Sequence, residues 1–429
     1  MNMKFYLPKE ELVEHENFFN KDWERKEELK VEVIKNGIVL PFKAQETQSF
    51  TSFNAGIVDE NFNHVPLGDH IRYMGNTCTS IYKFNKEEVE VRNKKAIFLG
   101  YYFNHFGHSL IESLTRVWYC IDNINHDYDY VFIPIGGYVS DEMFNPFMEQ
   151  LELFGFNKNQ IKFINKITQY KEIVIPEQSW GLDAKYHQKQ IDVFNKIALN
   201  VKMGKFKKVY FSRTKLTLNN LFGEEIFEEI FKNNGYEIIY PETLNIKEQI
   251  SIIKGAEIIA GVNGSALHTL VYAKESTKAI IFNRLELMNC AQQLVNKMKK
   301  LNAVIIKTNI GFLPVLHGPG PFLIGLTSEA IEFFKNNGFN FENIGIDFKK
   351  VIADFVIKWT QTYSDNRLEH NATYKKLLIT LSDNKFHFNT EKLLKLFEPL
   401  DYLDKKEILV LNKNCSFKEE KKLKEYSNR

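Results

Sequence analysis

Short continuous apolar runs alternate with segments of helical period along this chain, most regularly between Val209 and Phe282. Four runs rich in Val, Ile, Tyr or Phe stand at 208–212, 236–240, 257–261 and 278–282. Between them the spacing of apolar positions predicts helices over 224–233, 247–254 and 265–273. A strand with no polar face has no side to show to water, so this alternation predicts a parallel sheet covered by helices on both faces. Ligands of such sheets bind beyond the carboxyl ends of the strands, where loops meet helix N-termini. The polar and glycine positions fall there: Ser212 and Arg213, Pro241 and Glu242, and the stretch from Gly261 to Ser265.

A weaker version of the pattern precedes it. Strands are predicted at 96–100, 130–134, 161–164 and 172–176, with helices at 108–121 and 141–154 and a helical linker at 178–203. This describes an incomplete Rossmann-like unit. Before it, 30–34 and 37–40 are strand-like, while 47–75, rich in Asn, Gly, Ser and Thr, reads as loop with no chemistry to assign. After a last strand at 303–308, the Gly- and Pro-rich segment 311–325 predicts a loop or lid. Helices follow near 328–336 and 348–362, then a lysine-rich tail, 373–429, with amphipathic pieces. A chain of 429 residues exceeds one ordinary domain. The expected division is 1–200, 201–325 and a helical crossover and tail over 326–429.

Composition narrows the class. With 56 Lys and Arg against 54 Asp and Glu, the charge balance does not call for nucleic acid as a partner. No run approaches the roughly 18 apolar residues of a membrane span, and the first residues lack the apolar core of a signal peptide. The four cysteines, Cys78, Cys120, Cys290 and Cys415, have no metal-type spacing. A cytoplasmic protein with reduced thiols is expected; the lysine-rich tail reads first as a solvated helical appendage and second as a peripheral contact with an anionic inner membrane surface.

Two constellations carry chemistry. On a helix starting near Gly107, His108, Glu112 and Arg116 share one face at i, i+4 and i+8. An imidazole, or a carboxylate partnered by it, is what deprotonating a hydroxyl requires, and Arg116 would hold Glu112 ionised or contact a phosphate. His105 ranks with His108 on spacing, and a surface helix laced by one ion pair would look the same. The second constellation is the run Gly261-Val262-Asn263-Gly264-Ser265-Ala266-Leu267-His268, where Gly264 permits close approach of a phosphate to the start of a helix. Ser212, Arg213 and Lys215 add a guanidinium and an ammonium for a diphosphate, Glu242 an acceptor for ribose hydroxyls, and Gln249 a group to orient the loop or meet a base. Each alone is commonplace; at three successive strand ends they point to a nucleotide site.

The ordered set YFSR, YPETLNIKEQI and GAEIIAGVNGSALH, with NHFGHSLIESLTRVW upstream, resembles glycosyltransferase family 61, which includes bacterial capsule-synthesis proteins. The resemblance implies a GT-B-like α/β fold, two Rossmann-like domains facing a cleft, with donor binding in the second and acceptor binding mainly in the first. It also implies an inverting transferase without a bound metal or other cofactor. Asp127-Tyr128-Asp129 reads as a surface turn, not a metal-binding DxD. The implied substrates are a nucleotide-sugar donor, a UDP-sugar first, and a hydroxyl of a capsular polysaccharide or lipid-linked glycan. Alternatives are transfer of a sugar or polyol phosphate, or a non-catalytic nucleotide- or glycan-binding subunit. The chain departs from the family pattern at Asn263, where a histidine is common, with His268 four residues beyond Gly264; Glu224 matches the family's glutamate, but its arginine has no counterpart. The expected roles are base for His108, Glu112 or His105, and donor binding for Ser212, Arg213, Lys215, Glu242, Gln249, Asn263, Gly264, Ser265 and His268.

Overall fold

A computed structural model describes residues 3–358 apart from 45–51, 73–75, 137–140, 183, 217–219, 286–287, 311–319, 343, 349, 352–353 and 356–357. The expected lid at 311–325 and helix at 348–362 therefore lie largely, and the lysine-rich tail wholly, outside the described residues. The rest is a mixed α/β protein built on two large sheets.

The second sheet is entirely parallel. Its strands Lys208–Phe211, Glu237–Ile239, Ile258–Val262, Lys278–Asn283 and Asn302–Lys307 lie in the order second, first, third, fourth, fifth. The order reverses between Lys208–Phe211 and Ile258–Val262, and such a reversal opens a crevice at the strands' carboxyl ends. Both faces are covered. Val209, Phe211, Ile259 and Ile281 pack to one side, Tyr210, Ala260, Val262 and Phe282 to the other, which is why these strands read as unbroken apolar runs. A sixth strand, Lys4–Tyr6, pairs parallel with Asn302–Lys307, a partner that no local signal in the sequence announces.

The first sheet is mixed. Ile161–Phe163, Tyr128–Ile135, Glu90–Phe103 and Thr168–Pro176 are parallel, in the order third, second, first, fourth. Antiparallel strands Val31–Lys35, Ile38–Lys43 and Phe53–Val58 extend it beyond Thr168–Pro176. The segment read as loop over 47–75 thus contributes the strand Phe53–Val58, whose apolar positions pack under Tyr101 and Phe103.

Between the sheets, helices Asp141–Phe154 and Gln188–Leu199 from the first half meet Ile246–Gly255 and the 3₁₀ turn Thr269–Tyr272 from the second. One hydrophobic core runs through this layer, from Leu99, Tyr102 and Phe132 to Phe211, Ile250 and Ile281. Inside it the Tyr272 hydroxyl donates to Gln150 Oε1 at 2.7 Å. No helix among the described residues is long and apolar enough to cross a membrane.

Removing that hydroxyl leaves the buried Gln150 oxygen without its donor. Tyr272→Phe should cost about 1–3 kcal/mol in urea unfolding, seen as a lower midpoint at unchanged slope.

Candidate functional site

Both constellations sit at strand ends where their sheet's order reverses. Glu90–Phe103, the central parallel strand of the first sheet, ends just before the helix Phe106–Ile111. Ile258–Val262 of the second ends just before Asn263, Gly264 and the helix Ser265–His268. The two short helices pack on each other, and the contact depends on Gly107: a Cβ there would lie 3.2 Å from His268 Cδ2 and 3.2 Å from Ser265 Cβ.

The expected helix over 108–121 ends at Ile111, and Glu112 is its C-cap. Hydroxyls divert the local backbone bonding: Ser109 Oγ donates to Phe106 O, Thr115 Oγ1 donates to Glu112 O, and Ser113 Oγ accepts from Phe103 N. His108 and Glu112 still meet, His108 Nδ1 donating to Glu112 Oε1. Glu112 Oε2 accepts from Arg72 Nε at 2.6 Å and from His70 Nε2 at 3.1 Å. Glu112 and both of these partners are buried. Burial alone would push this carboxyl up; the bonds from His108 and His70 and the charge of Arg72 outweigh it and hold Glu112 well below the usual range. With both oxygens engaged and the charge fixed, Glu112 is suited to orient His108. His108 keeps Nε2 available on a ring one-third exposed.

Arg116 does not join this cluster, a correction to the spacing argument. Once the helix ends, i+8 no longer lies on the same face. The Arg116 guanidinium is buried and donates to Leu67 O at 2.8 Å, to Asp69 O at 2.5 Å and to Pro176 O. It ties the 3₁₀ turn Pro66–Gly68 to the end of the strand Thr168–Pro176, and a bulge at Gly100 makes room for it: Gly100 has φ +105°, and a Cβ there would lie 3.3 Å from Arg116 Cδ. Arg72 takes the place by Glu112 that the sequence offered to Arg116. Neither Arg72 nor His70 was legible beforehand, because they come from the stretch without periodicity.

His105 neighbours His108, their ring centroids 4.9 Å apart. Its ring is open to solvent on one side; even so the surrounding protein, and then the charge of His108, lower its pKa to about 4. His268 is buried, and burial lowers it to about 4 although Nδ1 is hydrogen-bonded to Gln292 Oε1 at 2.9 Å. The charges of His108, His105 and Arg213 add to the lowering of His268. Among the described residues no group of three or more His, Cys, Asp or Glu side chains is placed to hold a metal ion.

On the second sheet's crest, Gly264 is extended, and its role is clearance: a Cβ would fall 2.1 Å from Arg213 Nη1. The helix after it spans only Ser265–His268 before a 3₁₀ turn, shorter than the expected 265–273, so little dipole is available there. Positive charge comes from Arg213, whose Nη1 is buried without a hydrogen-bond partner among the described residues. Ser212 is buried and donates to Glu228 Oε2 at 2.7 Å, so its hydroxyl serves the scaffold. Asn263 is buried and bridges strand ends through Nδ2 to Asn283 Oδ1 at 3.3 Å. Gln249 is buried and donates to Pro241 O and Leu244 O, fixing the turn that carries the exposed Glu242. Lys215 Nζ lies 3.7 Å from the Tyr240 ring centroid, and its field, with that of Arg213, reaches Glu242. Gly264 and Ser265 are partly exposed beside Arg213 and His268. Glu224 lies behind Arg213, accepting from its backbone N–H at 3.2 Å; burial raises the Glu224 carboxyl to about 8.

Residues 106–280 match the family model of Glycosyltransferase 61, which supports reading the chain as a glycosyltransferase acting on a sugar donor and an acceptor. The match begins on the helix of His108 and takes in Glu112, Arg213, Gly264 and His268. His70 and Arg72 lie outside it. No curated protein matches the chain significantly.

Buried neutral histidines give a pH signature. Burial lowers His70 and His268 to about 4 from the ordinary 6.5, so between those values the unfolded chain binds more protons than the folded one. Stability should fall as pH drops from 6.5 towards 4, ahead of the carboxylates. Urea midpoints at pH 7, 6 and 5 check this, and His268→Gln should flatten the slope.

Proposed function

We propose that the chain transfers a glycosyl residue from a nucleotide-activated sugar, a UDP-sugar first, to an acceptor hydroxyl in one in-line step that inverts the anomeric centre. The observation that carries this reading is one juxtaposition. An imidazole tethered by a buried carboxylate stands on one crest, and across the Gly107 contact stands a guanidinium with an unpartnered N–H. In this reading His108 Nε2 takes the acceptor proton as the acceptor oxygen bonds to the anomeric carbon. Glu112 fixes the tautomer and stabilises the imidazolium that forms. The bond from the anomeric carbon to the leaving phosphate oxygen breaks, and the charge left on the diphosphate falls to Arg213, above Gly264, in a step that calls on no metal. His105 lines the acceptor side and His268, buried behind Ser265, supports the crest. Glu242 and Lys215 stand on the nucleoside side.

The two sheets, each with its crest at the shared contact, support a GT-B-like arrangement with the donor on the second. The acceptor we propose is a hydroxyl of a capsular or lipid-linked glycan on the cytoplasmic side of a bacterial inner membrane.

General-base assistance contributes about 10²–10⁴ in rate, so His108→Ala should lose that factor in kcat with its melting temperature retained. Glu112→Gln should lose less and shift the pH–rate profile. Full kcat in both variants would remove His108 from the role. Arg213→Ala and Gly264→Ala should act on the donor instead, the second because the new methyl displaces a flexible guanidinium at little cost in stability; both should raise donor KM. The reading as a whole is tested by thermal unfolding with UDP, GDP, CDP and CMP. A nucleotide at 100 times its Kd stabilises by about 2.7 kcal/mol, and no shift with any of them would count against a nucleotide-sugar donor.

A further inference from the structure

A second arginine converges on Gly264. Arg284 follows the strand Lys278–Asn283, which pairs with Ile258–Val262, so it leaves the sheet beside the glycine turn. A Cβ built on Gly264 would lie 2.1 Å from Arg213 Nη1 and 3.7 Å from Arg284 Nη2, so the two nitrogens are no farther apart than the sum of those lengths. Like charges at that range repel, and each guanidinium is hard to neutralise by losing a proton. Even so, neither has a salt bridge among the described residues, and Arg213 Nη1 and Arg284 Nε are buried without hydrogen-bond partners. Burial and the charge of Arg213 lower Arg284 to about 9. The acid behind the pair, Glu224, is itself raised to about 8 by burial, and its charge reaches both arginines without a salt bridge among the described residues.

Arg284 is aimed by packing. Its Cζ lies 4.2 Å from the ring centroid of Phe322, on the strand Phe322–Leu323 that pairs with Leu221–Phe222. A cation over an aromatic face is held without surrendering its N–H donors. The fold therefore spends an aromatic residue and a glycine on holding two guanidiniums together with donors unfilled.

We infer that Arg284 is the second cationic arm of the donor site, and that Arg213 and Arg284, converging over Gly264, take a group carrying two phosphate charges. Arg213 reaches it from one strand end and Arg284 from two strands away, so a diphosphate is gripped on both sides while a monophosphate fills one. The inference rests on the transferase reading for what the diphosphate belongs to; the convergence itself does not.

Inorganic pyrophosphate is the probe, because it needs no choice of base or sugar. Calorimetric titration should show the parent protein preferring pyrophosphate over phosphate. Arg284→Gln should weaken pyrophosphate by about tenfold or more and narrow that preference, as should the preference for UDP over UMP. Its melting temperature without ligand should hold or rise, since a like-charge contact is removed. Phe322→Leu, which keeps the charge and frees its direction, should weaken pyrophosphate less, and it stands in if Arg284→Gln does not fold. Pyrophosphate affinity within about twofold of the parent in both variants would overturn the assignment. Pyrophosphate binding that depends on Arg284, with UDP, GDP and CDP all failing to bind, would instead overturn the nucleotide-sugar reading and leave an anion site.

Discussion

The site depends on a contact in which one residue has no side chain. Gly107 lets the helix Phe106–Ile111 press against the ring of His268 and the β-carbon of Ser265. Through that contact the crest of one sheet touches the crest of the other. The first holds an imidazole and its carboxylate; the second holds the guanidinium and the glycine that clears space for it. The continuous core beneath, from Leu99 to Ile281 through the helical layer, keeps the two crests in register. A methyl at Gly107 would have to be absorbed by moving one crest by tenths of an ångström, a scale on which reacting atoms are sensitive.

Charge is distributed unevenly across that contact. On the side of His108, the negative charge of Glu112 is saturated by three donors and fixed. On the side of Arg213, positive charge is crowded and left with donors unfilled among the described residues. A saturated carboxylate is suited to hold an imidazole through a proton transfer without taking the proton itself. Unfilled guanidinium donors in partly buried surroundings are suited to a polyanion, since they need not first give up another partner. The neutral state of the buried His268 keeps additional charge off the contact.

Much of the second sheet was legible in the sequence, because strands buried on both faces leave unbroken apolar runs and amphipathic helices between them leave a sharp period. Helices Asp141–Phe154, Glu224–Asn233 and Ser328–Asn336 fall where the period puts them. What failed is equally physical. The helix through 108–121 stops at Ile111, with serine and threonine hydroxyls bonded to backbone groups around its end, and this removed Arg116 from the face of Glu112. His70 and Arg72 approach Glu112 from about forty residues away along the chain, through a stretch with no period. Arg284 follows an ordinary strand, and only the built distance to Gly264 connects it with Arg213. Local pattern reports burial and period; it carries no record of which strand ends meet.

The pairing of Lys4–Tyr6 with Asn302–Lys307 bears on how the molecule comes to exist. Lys4 sits opposite Val304, so an edge of the second sheet cannot close until some three hundred later residues have been made. During synthesis, chain growth is slow beside local folding, and domains usually form from the first residues onward. Here the strand nearest the start of the described residues finds its partner only in Asn302–Lys307. Contacts of such long sequence separation slow folding, because the loop must close before the pairing rewards it. The same strand then threads the beginning of the chain into the body that carries Gly264, so the two sheets are joined covalently at two places instead of one. Any separation of one crest from the other would have to bend both connections together.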